Sequence, residues 1–178
     1  MPEADADLPI VDAHHHLWDL KAIHYPWLDV DNTKEFFLGD YTPIIQNYLP
    51  DDYRHDSARH NVIKTVHVEA ECDRKTQAAE TAWITEMNAQ YGFPNAIVGH
   101  VWFDRDDAEE VLAVHKTFPL MRGIRSKPAT ADRPEDMTPG APRTMQDPKW
   151  LDGFALLEKY DLSWDLRVPC WHLEEAAE

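Results

Sequence analysis

A strand pattern followed by a helix pattern occurs five times along this chain, and this repetition constrains the fold more than any other feature. The strand patterns are short runs rich in β-branched and other apolar residues, and the helix patterns carry apolar residues at helical spacing. The predicted strands lie at 10–16, 62–69, 96–102, 120–125 and 162–168, and the predicted helices at 53–60, 77–91, 107–116, 148–160 and 173–178. This alternation favours parallel βα units over a β-sandwich or a helical bundle.

Two of the predicted helices have clear end signals. The second helix pattern stops at Gly92 and Pro94, residues that favour helix termination. Asp147 precedes the fourth helix pattern as a capping residue, and Pro148 occupies the first helical position, where its missing N–H is tolerated. We therefore expect one helix to end at about Tyr91 and another to begin directly after Asp147.

Composition excludes several classes of partner. The chain has 17 basic and 33 acidic residues, a net charge of −16, whereas binding to nucleic acid or an anionic membrane needs clustered Lys and Arg. No apolar run approaches the roughly 20 residues of a membrane-spanning helix, and no signal-peptide pattern begins the sequence. A length of 178 residues with 43% hydrophobic residues fits a single domain over residues 1–178. We expect a soluble cytoplasmic protein.

Several catalytic classes lack support in the sequence. No G-x-G-x-x-G follows the first strand, and there is no Walker A or G-x-S-x-G motif, so nothing points to a dinucleotide, nucleotide or serine-hydrolase site. The two cysteines, Cys72 and Cys170, are too few for a disulfide framework. We expect both to be reduced thiols, with a catalytic Cys–His pair as the alternative.

The first strand pattern runs directly into three consecutive histidines. Because alternate side chains of a strand point the same way, His14 and His16 share one face while His15 takes the other. Two neighbouring imidazoles at a strand end are a candidate ligand pair for a divalent metal such as zinc. The alternative is a solvated or tag-like His-rich segment.

Polar side chains recur where the other predicted strands end. Glu69, His100, Arg125 and His172 follow the second, third, fourth and fifth strand patterns. The carboxyl ends of parallel strands carry the active sites of (βα)-barrel enzymes, so we expect these positions to lie at one end of the sheet. Glu69 is interpreted as a ligand or general base, or else as part of a structural salt bridge. Arg125 is interpreted as a clamp for a substrate carboxylate, or else as a structural arginine.

The remaining features are assigned structural roles, with one open alternative. His67 and His100 are predicted to be structural, and His55 and His60 to lie on the surface. The tract 20–60 is non-periodic and rich in aromatic residues and Pro, and it includes the Phe36 and Phe37 pair. A connection of this length is either a lid over the histidine pair or a flap that covers the core.

The sequence as a whole resembles the amidohydrolase family 2 group of TIM-barrel metal-dependent hydrolases, which includes sugar-acid lactonases and 2-pyrone-4,6-dicarboxylate lactonases. Residues 10–19, 25–28, 66–71, 122–125 and 171–173 carry the resemblance, in the order expected. It implies a (β/α)8 barrel in which His14 and His16 correspond to the first-strand His-x-His motif. It also implies that Arg125 is a fourth-strand substrate contact and that His172 is a fifth-strand residue near the site.

The resemblance implies an enzyme that opens a lactone of a sugar acid or related carboxylate with activated water. The implied cofactor is a divalent metal, zinc in the first place, although some members need little or no metal. A small-molecule substrate with a lactone or carboxylate is the expected partner, and homo-oligomerisation is left open. The alternatives are a metal-dependent decarboxylase of the same superfamily and an inactive fragment that needs a partner chain.

The chain departs from this family in its number of βα units. Members have about eight, whereas this sequence shows five strand patterns. The later strands of the family bring a further histidine and an aspartate that binds the metal or activates water. Five strands would also leave two unpaired sheet edges. We expect a truncated chain or a fragment, in preference to a half barrel that a second chain completes.

Overall fold

The computed structural model describes residues 7–30 and 39–177, which form strands and helices in strict alternation after the first loop. The strands are β1 (Ile10–His15), β2 (Val62–Val68), β3 (Ala96–Gly99), β4 (Met121–Ile124) and β5 (Ser163–Trp164). The helices are α1 (Pro50–Ser57), α2 (Gln77–Tyr91), α3 (Ala108–Lys116), α4 (Pro148–Tyr160) and α5 (Leu173–Ala177).

The strands form one parallel sheet in the order β1-β2-β3-β4-β5, which is the topology of a partial TIM barrel. The register of the first pair aligns Asp12 with Thr65 and His15 with His67. In the last pair, Ile124 aligns with Trp164. The predicted parallel βα architecture is therefore confirmed.

Local signals set the helix ends. Helix α2 has the predicted bounds, and Gly92 follows it in the left-handed conformation, with φ +80°, which glycine adopts without strain. Asp147 caps α4 by accepting a hydrogen bond from the Lys149 N–H at 3.1 Å. Helix α1 begins at Pro50, earlier than predicted, because the Asp52 side chain accepts the Leu49 N–H at 2.8 Å and so caps the helix there.

Two strands are shorter than their apolar patterns predict. The ladder of β5 reaches only one residue past Trp164, through the Asp165 N–H bond to the Ile124 carbonyl at 2.9 Å. The predicted strand to residue 168 was therefore too long. Strand β3 ends at Gly99 instead of residue 102, because the carbonyl of His100 accepts a hydrogen bond from the His115 side chain and not from a neighbouring strand.

The chain divides into two compact units, residues 1–97 and 98–178. In the described part of the first unit, aromatic and aliphatic side chains of the tract after β1 pack on the segment that follows β2. This cluster comprises Trp18, Ile23, Tyr25, Leu28, Ala70 and Cys72. The tract also contains short 3-10 helices at Pro26–Leu28 and Thr42–Ile44, whereas Phe36 and Phe37 lie outside the described residues.

The second unit has its own core beneath α3 and α4. Phe103 contacts Trp150 edge-on with ring centroids 5.2 Å apart, and Leu112 and Ile124 are fully buried. Gly153 lets α4 approach this core closely, since a Cβ there would lie 2.2 Å from the Phe103 carbonyl oxygen. Across the described ranges, the helices are all too short or too polar to cross a membrane.

Candidate functional site

The three histidines at the end of β1 alternate as the strand pattern predicts. His14 is exposed and His16 half-buried, and their rings meet edge-on with centroids 5.0 Å apart. His15 is buried on the other side, against Tyr53, with a centroid distance of 4.5 Å. Burial, with a smaller contribution from His67, lowers the pKa of His15 to about 4. His14 and His16 therefore form the accessible pair, and His15 is part of the packing.

His16 is oriented by the neighbouring strand. Its Nδ1 lies 2.7 Å from the carbonyl oxygen of Val68, the last residue of β2. A carbonyl only accepts, so Nδ1 carries the proton, and Nε2 is the basic nitrogen at the opposite edge of the ring. Histidines that bind metals commonly have this arrangement, in which a backbone carbonyl fixes the tautomer.

His14 is oriented through the backbone. The backbone N–H of His14 donates to Asp12 Oδ1 at 3.2 Å, and the Tyr53 hydroxyl donates to Asp12 Oδ2 at 2.7 Å. Partial burial raises the pKa of Asp12, but the Tyr53 hydroxyl and the His14 amide outweigh it and hold this pKa below its usual value. An ionised Asp12 thus links α1 to the end of β1.

The donor set at this strand end fits part of a zinc site. Two imidazoles in contact, one with its tautomer fixed, are borderline ligands that zinc prefers. Within residues 7–30 and 39–177, no group of three or more His, Cys, Asp or Glu side chains lies close enough to hold a metal ion. The described residues therefore supply two ligands, where zinc sites usually have three or four protein ligands.

Glu69 lies directly after Val68 and is completely buried. Its Oε2 accepts the Glu71 N–H at 2.7 Å, and Glu71 has φ +58°, so the carboxyl group braces a tight turn. This turn keeps Glu69 at the same end of the sheet as His16. In the described residues Glu69 does not form a metal-binding group with His14 and His16, and its observed hydrogen bond stabilises the turn.

A buried polar network in the first unit was not predicted from the sequence. Glu80 Oε1, on α2, accepts hydrogen bonds from the Tyr25 hydroxyl at 3.1 Å and the Ala70 N–H at 3.0 Å. His67 Nε2 lies 3.6 Å from the same oxygen, while His67 Nδ1 accepts the Leu17 N–H at 3.3 Å. One face of α2, at positions 77, 80, 81 and 84, carries three polar residues and one apolar residue. The structure buries this face, so its polar residues were the sequence signal for a buried network.

The same network bears on the cysteine alternative. Burial, followed by the nearby Glu80 and Glu69 carboxyl groups, raises the pKa of the Cys72 thiol. Neither Cys72 nor Cys170 is part of a disulfide bond. A raised pKa is the opposite of what an activated cysteine nucleophile needs, so Cys72 does not support a Cys–His mechanism.

Arg125 follows β4 in the second unit and is buried. Its N–H donates to the Gly99 carbonyl at 2.9 Å, and its own carbonyl accepts from His100 Nδ1 at 2.8 Å. His100 is completely buried, as expected for a structural histidine. Both backbone groups of Arg125 are thus held by the end of β3.

His172 lies in the short 3-10 helix Cys170–His172 and is buried. Its Nε2 accepts the Ala131 N–H at 3.0 Å, and its Nδ1 donates to the Glu175 carboxylate. The Trp171 indole donates to the Ala131 carbonyl at 3.1 Å. His172 therefore ties the loop after β4 to α5, and both of its ring nitrogens are engaged in doing so.

Comparisons with known proteins agree with this fold. No family model matches the chain. An uncharacterized protein of Sinorhizobium fredii, y4mH, is 35% identical over 173 residues, which is 97% of this chain and 58% of that protein. An amidohydrolase from Burkholderia multivorans is similar in two crystal structures. The one with bound zinc has a TM-score of 0.62 at 20% identity, and the one with bound HEPES has 0.64 at 21%.

A third solved structure is a probable 2-pyrone-4,6-dicarboxylic acid hydrolase from Acinetobacter baumannii with citric acid bound. It has a TM-score of 0.54 at 13% identity, over 89% of this chain and 49% of that one. The two Burkholderia structures are matched over 93% of this chain and 51% and 50% of theirs. This chain thus spans about half the length of the solved structures it matches, and it has the fold of that half of an amidohydrolase barrel.

Proposed function

We propose that this chain, which has the fold of about half of an amidohydrolase barrel, is part of a metal-dependent hydrolase. The observation that carries the proposal is the pair of imidazoles at the end of β1. The rings of His14 and His16 are in contact. The Val68 carbonyl accepts a hydrogen bond from His16 Nδ1, so Nε2 is the basic nitrogen of that ring. One structural neighbour, the Burkholderia amidohydrolase, has zinc bound.

In this proposal His14 and His16 are ligands of a divalent metal, with zinc as the first candidate. A zinc ion bound there would lower the pKa of a coordinated water towards about 7 and polarise a carbonyl oxygen. The chain's own contribution is to hold the two imidazoles in place before the metal binds. Glu69, one residue beyond Val68, is proposed as a further ligand or as the group that accepts a proton from water.

The proposed substrate is a lactone of a sugar acid or a related carboxylate. Water adds to the lactone carbonyl carbon, the ring C–O bond breaks, and the leaving alkoxide takes a proton to give a hydroxy acid. Arg125 is proposed to bind a carboxylate of the substrate, because a guanidinium offers two parallel N–H donors to it. His172 is proposed as a further residue of the same reaction, although its two observed hydrogen bonds join the loop after β4 to α5.

The first test measures zinc binding by the purified chain. Titration calorimetry should show one site that is lost in His14→Ala and His16→Ala. His55→Ala, an exposed histidine on α1, is the matched control and should bind as the wild type does. Equal zinc binding by all four proteins would contradict the assignment of the ligands.

The second test measures turnover by the chain with zinc present. Acid release from sugar-acid lactones, followed in a pH-stat, supports the hydrolase. Release of carbon dioxide without ring opening identifies a decarboxylase instead. A protein that binds no zinc and turns over no lactone, ester or amide contradicts the proposal.

A further inference from the structure

The end of β3 holds the backbone of Arg125 at both of its polar groups. The Arg125 N–H donates to the Gly99 carbonyl at 2.9 Å, and the Arg125 carbonyl accepts from His100 Nδ1 at 2.8 Å. Both distances are those of well-formed hydrogen bonds. Because these groups flank the Cα atom, they set the direction in which the Arg125 side chain leaves the strand end.

His100 is held in turn by a second buried histidine. His115, on α3, donates from Nε2 to the His100 carbonyl at 2.9 Å. A Cβ on Gly99 would lie 3.0 Å from His115 Cε1, so glycine at this position lets the imidazole lie close against the strand. The three residues thus form one chain of contacts from α3 through β3 to Arg125.

The protonation state of His115 suits this role. Burial lowers the pKa of His115 to about 4, so its ring is neutral at physiological pH. A neutral imidazole has a single N–H, and the carbonyl of His100 requires that it be on Nε2. The donor is therefore present throughout the pH range in which the protein would work.

We propose that His115 and His100 are positioning residues that fix Arg125 for recognition of a carboxylate. This inference rests on the proposed function, in which Arg125 binds the substrate carboxylate. A guanidinium fork must match both carboxylate oxygens, and a displacement of about 1 Å can cost on the order of 100-fold in a positioned interaction. Neither histidine touches the ligand in this proposal; both act through the backbone of Arg125.

The test uses citrate as a carboxylate probe and measures its Kd by titration calorimetry. Arg125→Gln should weaken binding by on the order of 100-fold, since the fork is lost. His115→Leu and His100→Leu should each weaken it by about tenfold, which is about 1.4 kcal/mol, because the donor that fixes Arg125 is lost.

Conservative variants separate positioning from packing. His115→Gln places an amide N–H near the position of Nε2, and His100→Asn places one near Nδ1, so both should restore binding to within about threefold of the wild type. Leu112→Ala, a buried change on the same helix, is the matched control for lost stability and should leave the citrate Kd unchanged. If His115→Leu does not fold, His115→Asn replaces it, because its shorter amide does not reach the His100 carbonyl.

The outcomes distinguish failure of the inference from failure of the proposed function. No citrate binding by the wild type, or unchanged binding by Arg125→Gln, overturns the role of Arg125 and the inference with it. Loss of binding in Arg125→Gln with wild-type binding in both Leu variants overturns the inference alone. Equal losses in Leu112→Ala and His115→Leu also overturn it, because the effect would then follow stability.

Discussion

The ends of the first and third strands use the same hydrogen bond in two different settings. His16 donates from Nδ1 to the Val68 carbonyl at 2.7 Å, and His100 donates from Nδ1 to the Arg125 carbonyl at 2.8 Å. His16 is half-buried beside the exposed His14, whereas His100 is 1% exposed. The bond orients the ring in both cases, and the exposure of the ring decides whether it can serve a ligand or only the backbone.

The buried polar groups that support β2 and β3 also differ. Behind β2, the carboxyl group of Glu80 collects hydrogen bonds from Tyr25 and Ala70 and lies close to His67. Behind β3, the support is the neutral imidazole of His115. The first unit therefore depends on a buried acidic side chain, and the second on a buried histidine that stays unprotonated.

The largest expected effect comes from removing the acidic support. Glu80→Ala leaves the Tyr25 hydroxyl and the Ala70 N–H buried without their acceptor, at about 1–3 kcal/mol each, so we expect a loss of about 4 kcal/mol in the free energy of unfolding. Glu86→Ala, an exposed change on the same helix, should cost less than about 0.5 kcal/mol. Urea denaturation measures both, and a loss below 1 kcal/mol in Glu80→Ala would show that the carboxyl group is not the support.

The histidine support predicts a dependence of stability on pH. The folded pKa of His115, about 4, lies below the unfolded value of about 6.5, so the unfolded state binds the proton first as the pH falls. The contribution of neutral His115 to the free energy of unfolding is complete above pH 6.5. It is lost between about pH 6.5 and 4, by up to about 3 kcal/mol. The pKa of His15 is also about 4, so His15 adds a similar pH dependence to the stability of the first unit.

His115→Gln isolates the contribution of His115 to the pH dependence of stability, because glutamine keeps the N–H donor and does not titrate. Chemical denaturation from pH 7.5 to 4.5 should show a shallower loss of stability in this variant than in the wild type. Parallel curves for the two proteins would mean that His115 is not buried as a neutral group.

Substitution of histidine by asparagine should affect zinc affinity at the end of β1 but not at the end of β3. Asparagine keeps an N–H near the Nδ1 position but has no nitrogen at the Nε2 position. His16→Asn should therefore remain folded yet lose zinc affinity by at least the ~10–100-fold that loss of an outer-shell partner costs. His100→Asn should leave zinc affinity unchanged. Calorimetry on both variants checks the contrast, which fails if zinc affinity responds equally at 16 and 100.

The smallest expected effect concerns the support of His14. Tyr53→Phe removes the hydroxyl that donates to Asp12, and a hydrogen bond to a charged group contributes about 1.5 kcal/mol or somewhat more. A double-mutant cycle with Asp12→Asn should give a coupling of about 1 kcal/mol in the free energy of unfolding. A coupling near zero would mean that Tyr53 stabilises α1 without holding the end of β1.

Local sequence patterns predicted the parts of the fold that depend on neighbours along the chain. The spacing from Gln77 to Gly92 predicted α2 with its observed bounds, and Asp147 with Pro148 predicted the start of α4. Strand alternation alone placed His14 and His16 on one face. The extent of β5 was not predictable in this way, because a strand ends where its partner's ladder ends, and the apolar pattern continues beyond that point.

The sequence by itself thus determined the order of strands and helices, the accessible histidine pair and the polar residues at strand ends. Only the tertiary structure decided which buried polar groups meet. Tyr25 and Glu80 are 55 residues apart, Leu17 and His67 are 50 apart, and His100 and Arg125 are 25 apart. Periodicity reports on local geometry, whereas a buried donor takes its acceptor from whatever the packed chain brings within about 3 Å. For that reason the supports at Glu80 and His115 became visible only in the folded protein.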